Sequence, residues 1–410
     1  CPQISGDTKR MTRINPFLLR SLHTPTLGVC PRMTRQSQRT IIPPFSSFRM
    51  HTHITCQERS SPISMEPSTQ HLLDGILSQD PQTQRFSLSR AITLIESKLP
   101  RHHDQANVLL EHILRLENSS LSSLTNNTSL PPKLRLGIAG PPGAGKSTLI
   151  EMFGTWMLNQ KLLSKLAVVC VDPSSTVTGG SILGDKTRMI QLSSRQDAFV
   201  RPSSNGTNLG GLAAYTDDVV SLFQAANYEW VIVETVGLGQ SEVEISQSVD
   251  IMVLVLPPAN GDELQGIKKG ILEVADIIVV NKADGSLLSA ARRTAADYQQ
   301  AARSSSSSSL SSRPPVMLIS SHTQMGFQEL WDQIQFQCHS KIQSGQWAHR
   351  RQVQAKYWMW KHWQRMLTEE TQQNPTLKRT AETLMQELNN GTCTPRLAAR
   401  HLLRSCIIHN

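Results

Sequence analysis

The sequence predicts an α/β fold built on a mostly parallel central sheet, and three observations carry that prediction. Near-continuous apolar runs, at 136–139, 166–171, 230–235, 250–256, 275–280 and 315–320, alternate with stretches of helical periodicity. Strands that are apolar throughout are buried on both faces, the habit of parallel sheets covered by helices. The first run flows directly into Gly140-Pro-Pro-Gly-Ala-Gly-Lys-Ser147, which fits G-x-x-x-x-G-K-[ST] and is followed by the helix-compatible stretch TLIEMFGTWMLNQ. Polar residues then stand at or just past the ends of later runs, at Asp172, Glu234 and Asn281. Open α/β sheets bind their ligands at those carboxyl ends.

The glycine-rich stretch calls for a polyphosphate. Bare backbone must curl around the phosphates, so glycines stand at Gly140, Gly143 and Gly145. Pro141 and Pro142 have no N–H, so the cradle falls to the amides of Gly143, Ala144, Gly145, Lys146, Ser147 and Thr148. Lys146 would reach the β and γ phosphates and the Ser147 hydroxyl would ligate Mg²⁺. The fold is therefore expected to be that of a P-loop NTPase, with a helical lead-in before it and a helical extension after it.

A formal charge of +9 over 410 residues looks like a nucleic-acid signal until it is located. Residues 1–57 hold eight Lys or Arg against one acid, Asp7, and the remainder of the chain sums to only +2. A body so nearly neutral offers no basic face for DNA or RNA, and no nucleic-acid partner is expected. No apolar run approaches the ~18 residues of a membrane span, so no membrane partner is expected either. Seven dispersed cysteines without a C-x-x-C pair argue for a reducing compartment and against a zinc knuckle.

Taken in order, residues 1–60 are Arg-rich, hydroxyl-rich and nearly free of acid, the composition of a mitochondrial transit peptide or a disordered basic tail. Residues 61–130 carry three helical patterns broken near Pro81 and Pro100, then a linker from Asn118 to Pro132. His102 and His103 fall at the second break with no partner carboxylate or thiol at ligand spacing, so they are not read as metal ligands. Residues 131–335 form the nucleotide domain, interrupted by a flexible serine-rich insertion at 303–313. Residues 336–410 are a helical extension. Its Trp358, Trp360 and Trp363 read as packing or subunit contacts, and Thr394-Pro395 starts a last helix through Leu403.

Two constellations refine the chemistry. A nucleoside triphosphate with Mg²⁺ needs hard oxygen ligands near Ser147, and Asp172, Asp185 and Glu234 are the candidates. Asn281-Lys-Ala-Asp284, directly after an apolar run, fits N-K-x-D. Guanine presents N1–H and its exocyclic amine as paired donors that one carboxylate accepts together, and adenine offers no such pair. Asp284 would select guanine, Asn281 would contact its other edge, and the Lys282 stem would lie along the base. Ser320 and Ser321 would close over the base from the next strand.

GPPGAGKST, VDPSSTVTGGSILGDKTRM, RPSS with LGG, VETVGLGQSE, PPANGDELQGIKKGI, NKAD, KYWMW and the upstream RAITLIES together resemble the methylmalonyl-CoA mutase-associated GTPase chaperones, over about residues 88–363. The resemblance implies a homodimeric, Mg²⁺-dependent GTPase of the mitochondrial matrix, which hydrolyses GTP to GDP and phosphate and dimerises through its C-terminal extension. It would bind methylmalonyl-CoA mutase and gate the loading of adenosylcobalamin, a cofactor that remains the partner's cargo. It also implies that Asp172, Asp185 and Glu234 serve the metal and the attacking water. Lys268, in Asp262-Glu-Leu-Gln-Gly-Ile-Lys268, would enter the site as a charge stabiliser once the partner orders that loop. The catalytic set is then Lys146, Asp185 and Lys268. The chain departs from the family at Gly206-Thr-Asn-Leu-Gly-Gly211, where G-T-L-G-G is usual. A P-loop kinase of the amino-acid-transport type is the alternative, although it leaves the NKAD motif without a role. A non-hydrolysing nucleotide scaffold is a third reading, disfavoured by the complete metal and lysine positions.

Overall fold

The structure is a computed structural model that describes residues 64–97, 99–123, 133–172, 189–204, 215–235, 244–258, 274–305 and 313–408. These belong to one compact unit, Ser61–Asn410. Its centre is a seven-stranded sheet of β1 (Leu134–Ala139), β2 (Leu166–Asp172), β3 (Ala198–Ser204), β4 (Trp230–Thr235), β5 (Ile251–Leu256), β6 (Ile277–Val280) and β7 (Val316–Leu318). The spatial order is β3-β2-β4-β1-β5-β6-β7, and every pairing is parallel.

Alternation along each strand divides the core. Leu166, Val168 and Cys170 of β2, with Trp230 and Ile232 of β4, face one layer, in which Trp230 stacks on Trp331 at 4.9 Å between ring centroids. That layer holds α4 (Lys146–Asn159), α5 (Ile190–Ser194) and α8 (Phe327–Gln343). Ala167, Val169 and Val171, with Val231 and Val233, face the other layer. There lie α1 (Pro67–Ile76), α2 (Pro81–Ile95), α3 (Pro100–Ser123) and α6 (Thr216–Ala225). Period-two side chains on a strand make this two-sided burial unavoidable when the whole strand is apolar.

The lead-in helices start where proline and a polar cap dictate. Asp80 accepts from the Thr83 N–H and Pro81 takes the first position of α2, where a missing N–H costs nothing. Arg85 on α2 then donates to the carbonyls of Ser193, Arg195 and Ala198, and Arg201 of β3 pairs with Glu96 at 2.5 Å. His102 and His103 lie in the first turn of α3, bonded to the Ser97 hydroxyl and carbonyl respectively. α3 also continues to Ser123, so the first part of the expected linker is helical, and the rest of it lies outside the described residues.

Two further elements differ from expectation. β3 contains Arg201 and Pro202, which break an apolar reading, yet it is an edge strand paired only with β2. Proline lacks the donor that a central strand needs, and an edge tolerates it. After α7 (Leu288–Ser305) and α8, the helix α9 (Gln346–Gln373) outruns the Arg350–Leu367 span that its sequence pattern predicts, and α10 (Pro375–Asn389) precedes α11 (Pro395–Ile408). Asn374 caps α10 by accepting from the N–H groups of Thr376 and Leu377. The expected serine-rich insertion begins inside α7, which holds residues 303–305; residues 306–312 lie outside the described residues.

At the amino ends of β5 and β6 two carboxylates are neutralised. Asp250, 1 % exposed, accepts both Nε and a terminal nitrogen of Arg351, at 2.9 and 2.8 Å, and the Arg135 N–H at 2.9 Å. Asp276 accepts from Lys341 at 2.5 Å, from Arg350 at 3.2 Å and from the Met252 N–H at 2.8 Å. Burial pulls the Lys341 ammonium below its usual range, with Asp276 opposing the shift. Arg351→Met would leave the Asp250 carboxylate buried with its backbone donor alone, and we expect a loss of about 3 kcal/mol of stability, read by urea unfolding.

Candidate functional site

The site begins where β1 ends. Gly140, Gly143 and Gly145 have φ of 151°, 79° and 85°, values that L side chains avoid. At Gly140 a Cβ would also stand 1.9 Å from the Val255 carbonyl of β5, so the loop leaves the sheet through a gap that admits only glycine. Gly145 caps α4 without a side-chain bond, and the first turn of that helix presents its amides toward the loop. The Ala144 N–H is donated to the Pro141 carbonyl at 3.3 Å within the turn. The buried Lys146 ammonium donates to the carbonyls of Gly140 and Pro141 at 2.8 and 3.2 Å. Thr148, in the first turn of α4, follows Ser147.

Sheet order supplies the next residue. β4 pairs with β1 in the register Ile138↔Glu234, which puts Glu234 beside the loop although the two are far apart in sequence. The Ser147 hydroxyl donates to Glu234 Oε1 at 2.7 Å. β2 is the other neighbour of β4 and ends at Asp172, one step farther along the same edge. Asp185 and Lys268 lie outside the described residues, as do Gly206 to Gly211.

The second half of the site comes from β6. Asn281, 1 % exposed, has its N–H held by the Leu256 carbonyl at 2.9 Å. Its side-chain Nδ2 donates to the Ala144 carbonyl at 3.1 Å, and its Oδ1 accepts from the Ser321 N–H and hydroxyl at 3.1 and 2.8 Å. Lys282 adopts φ of 58°, unusual for a side chain of its kind, and donates to the Gly143 carbonyl at 2.7 Å. The Asp284 carboxylate accepts from the Ser320 hydroxyl. Ser320 in turn accepts from the Thr323 N–H at 3.1 Å, a support the sequence reading missed. Its signal was the run from Ser320 to Gly326, which closes as a turn with Gly326 at φ of 82°.

One edge of the sheet thus joins a glycine-rich loop with the Lys146 ammonium, the Ser147–Glu234 hydroxyl–carboxylate pair, and the Asn281–Asp284 segment bonded to that loop and to Ser320 and Ser321. Ser147 and Glu234 also fit Mg²⁺. This ion takes one or two protein oxygens, keeps waters and completes its shell with phosphates, so an adjoining hydroxyl and carboxylate suit it better than a closed cage would.

Fold and site define the class: a P-loop nucleotide-binding protein with an N-K-x-D segment bonded to its phosphate loop. The family described as "Methylmalonyl Co-A mutase-associated GTPase MeaB" matches residues 88–376, and the chain belongs to it. As a member it is a GTPase. It is 40% identical to the mouse protein named "Methylmalonic aciduria type A homolog, mitochondrial" over 336 residues, 82% of this chain and 80% of that one. It is 38% identical to "GTPase ArgK" of Escherichia coli (strain K12) over 321 residues, 78% of this chain and 92% of the relative. A solved structure described as "Crystal structure of LAO/AO transport system kinase" superposes with a TM-score of 0.59 at 30% identity, covering 85% of this chain and all of that one.

The two glycines separate strain from collision. Gly140→Ala is expected to destabilise the chain by more than about 2 kcal/mol, because left-handed strain and the Val255 carbonyl act together. Gly143→Ala, which meets nothing within 4 Å, should cost only about 1 kcal/mol. Thermal unfolding of the two variants side by side checks the order.

Proposed function

We propose that this chain is a GTP-hydrolysing chaperone of an adenosylcobalamin-dependent methylmalonyl-CoA mutase, gating cofactor loading and protecting or reactivating that enzyme. The observation that carries the nucleotide half is the pair of bonds from Asn281 and Lys282 to the carbonyls of Ala144 and Gly143. They hold a base-reading segment at a fixed span from a phosphate cradle. The mutase half is supported by the family's description and by the disease-related name of the mouse relative.

In this reading the amides from Gly143 to Thr148 and the Lys146 ammonium bind the phosphates, and Asp284 with Asn281 accepts guanine, with Ser320 and Ser321 closing over it. To engage the β and γ phosphates the Lys146 ammonium leaves the carbonyls of Gly140 and Pro141. Ser147 and Glu234, with Asp172 and Asp185, would hold Mg²⁺, which neutralises charge between the β and γ phosphates. Water attacks the γ-phosphate in line, and Lys268 stabilises the developing charge when the partner orders its loop. The chain acts as a homodimer through the 336–410 extension, in the mitochondrial matrix, with residues 1–60 as the targeting segment. The nucleotide domain is 131–335, preceded by the 61–130 helical region.

The test is nucleotide hydrolysis by the purified chain, GTP against ATP, with and without the mutase. Slow GTP-specific turnover that rises sharply with the mutase supports the proposal, and GTP turnover indifferent to it removes the chaperone role. ATP turnover with a phosphorylated acceptor would instead establish the kinase reading. In the same assay Lys268→Ala should keep GDP binding and lose the stimulation. Asp284→Asn should bind xanthine nucleotides better and GTP at least about tenfold worse, read by competition binding.

A further inference from the structure

Three turns meet at the amino ends of the strands, on the edge of the sheet opposite the phosphate loop. Ser164 and Lys165 lead into β2, Arg195 to Asp197 lead into β3, and Tyr228 stands just ahead of β4. Main-chain bonds fix these turns to one another: the Leu166 N–H is donated to the Asp197 carbonyl at 3.0 Å, and the Glu229 N–H to the Lys165 carbonyl at 3.2 Å. Pro81 and Gln84 of α2 complete the wall. Together they enclose a cleft of about 470 Å³, much roomier than a single water requires.

The charges around this cleft do not cancel. Arg195 takes both oxygens of Asp197, at 2.7 and 2.8 Å, and Glu229 accepts from the Ser164 N–H at 2.9 Å. Arg85 directs its guanidinium at main-chain carbonyls. Among the described residues no carboxylate pairs with Lys165, whose ammonium donates to Gln84 Oε1 at 2.7 Å. Gln84, 4 % exposed, is itself pinned through Nε2 to the Ile76 carbonyl at 2.8 Å, so it holds that ammonium in place. An ammonium has three donors, and Gln84 occupies one. Burial draws Lys165 below its usual range, and no acid opposes the shift. Tyr228 supplies a second donor to the same cleft. It is 3 % exposed, its ring centroid lies 5.8 Å from the Lys165 ammonium, and its hydroxyl has no hydrogen-bond partner among the described residues. Burial, opposed by Arg85, pushes that hydroxyl up to about 12, so it keeps its proton to donate.

A buried hydroxyl without a partner and a partly buried ammonium without a counter-charge both cost stability. A lysine that served only solubility would extend its ammonium into water. One kind of ligand satisfies both groups at once. We propose that this cleft binds a small organic molecule through a carboxylate or phosphate group, with the Lys165 ammonium and the Tyr228 hydroxyl as donors to its oxygens. Ser164 and Arg195 line the same space, and the volume leaves room for a body beyond the anionic group. The site is separate from the nucleotide site, because every strand is parallel and the two lie at opposite strand ends.

The experiment titrates the full-length chain by calorimetry with phenyl phosphate, benzoate and benzylamine, each with and without excess GDP and Mg²⁺. The first two share a body and differ in the anionic group, and the third carries the opposite charge. At least one anion is expected to bind one-to-one in the presence of GDP, and the stronger of the two identifies the group the cleft prefers. Benzylamine should not bind. Lys165→Met should weaken the anion at least about tenfold, and Tyr228→Phe, which keeps the ring and its packing, about three- to tenfold. Without ligand, Lys165→Met should melt no lower than wild type, since it removes an uncompensated charge; a clear drop would assign the ammonium to the fold and overturn the proposal. Failure of both anions to bind at about 10 mM, binding that GDP abolishes, equal binding of benzylamine, or unchanged affinity in the two variants would each overturn it as well. None of these outcomes bears on GTP hydrolysis, which is measured separately.

Discussion

The bond from Asn281 Nδ2 to the Ala144 carbonyl joins stretches 137 residues apart, and the geometry of the candidate site depends on it. A nucleotide has a fixed length between base and phosphates, so a protein that reads both ends must hold its two reading segments at that separation. Asn281 ties the two candidate segments together with one buried side chain: its amide nitrogen donates to the Ala144 carbonyl and its oxygen accepts from Ser321. Gly145 makes the approach possible, since a Cβ there would stand 2.7 Å from the same amide nitrogen. Lys282 adds a second tie at Gly143, for which the backbone accepts a left-handed residue.

The parallel sheet imposes a division between its ends. All seven strands point the same way, so their carboxyl ends present Ser147, Glu234, Asn281 and Ser320 to one edge. At the opposite edge Asp250 and Asp276 lie just before β5 and β6 and accept N–H groups of neighbouring strands. Buried carboxylates cannot remain without counter-charges, and Arg351, Lys341 and Arg350 come from α8 and α9. The C-terminal helices are thus bound to the nucleotide domain by charge as well as by packing.

Much of the fold was legible in the residues, and the limits are physical. β1, β2 and β4 to β6 announced themselves because strands buried on both faces are largely apolar, and β7 through the apolar run that contains it. β3 did not, because an edge strand can carry Arg201 and Pro202. The cap of α10, Asn374-Pro375, was present in the sequence but followed a longer helix that masked it. In the site, the glycine loop and N-K-x-D were readable as local patterns. The contact between Ser147 and Glu234 follows from β4 pairing with β1, a property of strand order that no local spacing encodes. Likewise, nothing around Tyr357 marked Glu244, the acceptor of its hydroxyl 113 residues earlier.

The lead-in helices have a consequence at the margin of the sheet. Parallel strands at an edge expose a row of donors and acceptors that another chain can extend. Here one margin is β3, where Arg85 occupies the Ala198 carbonyl and Pro202 offers no N–H. The other margin is β7, only three residues long. Both borders are thus poor templates for continuing the sheet, and strand addition by another chain is disfavoured at each without any loss of sheet inside the molecule.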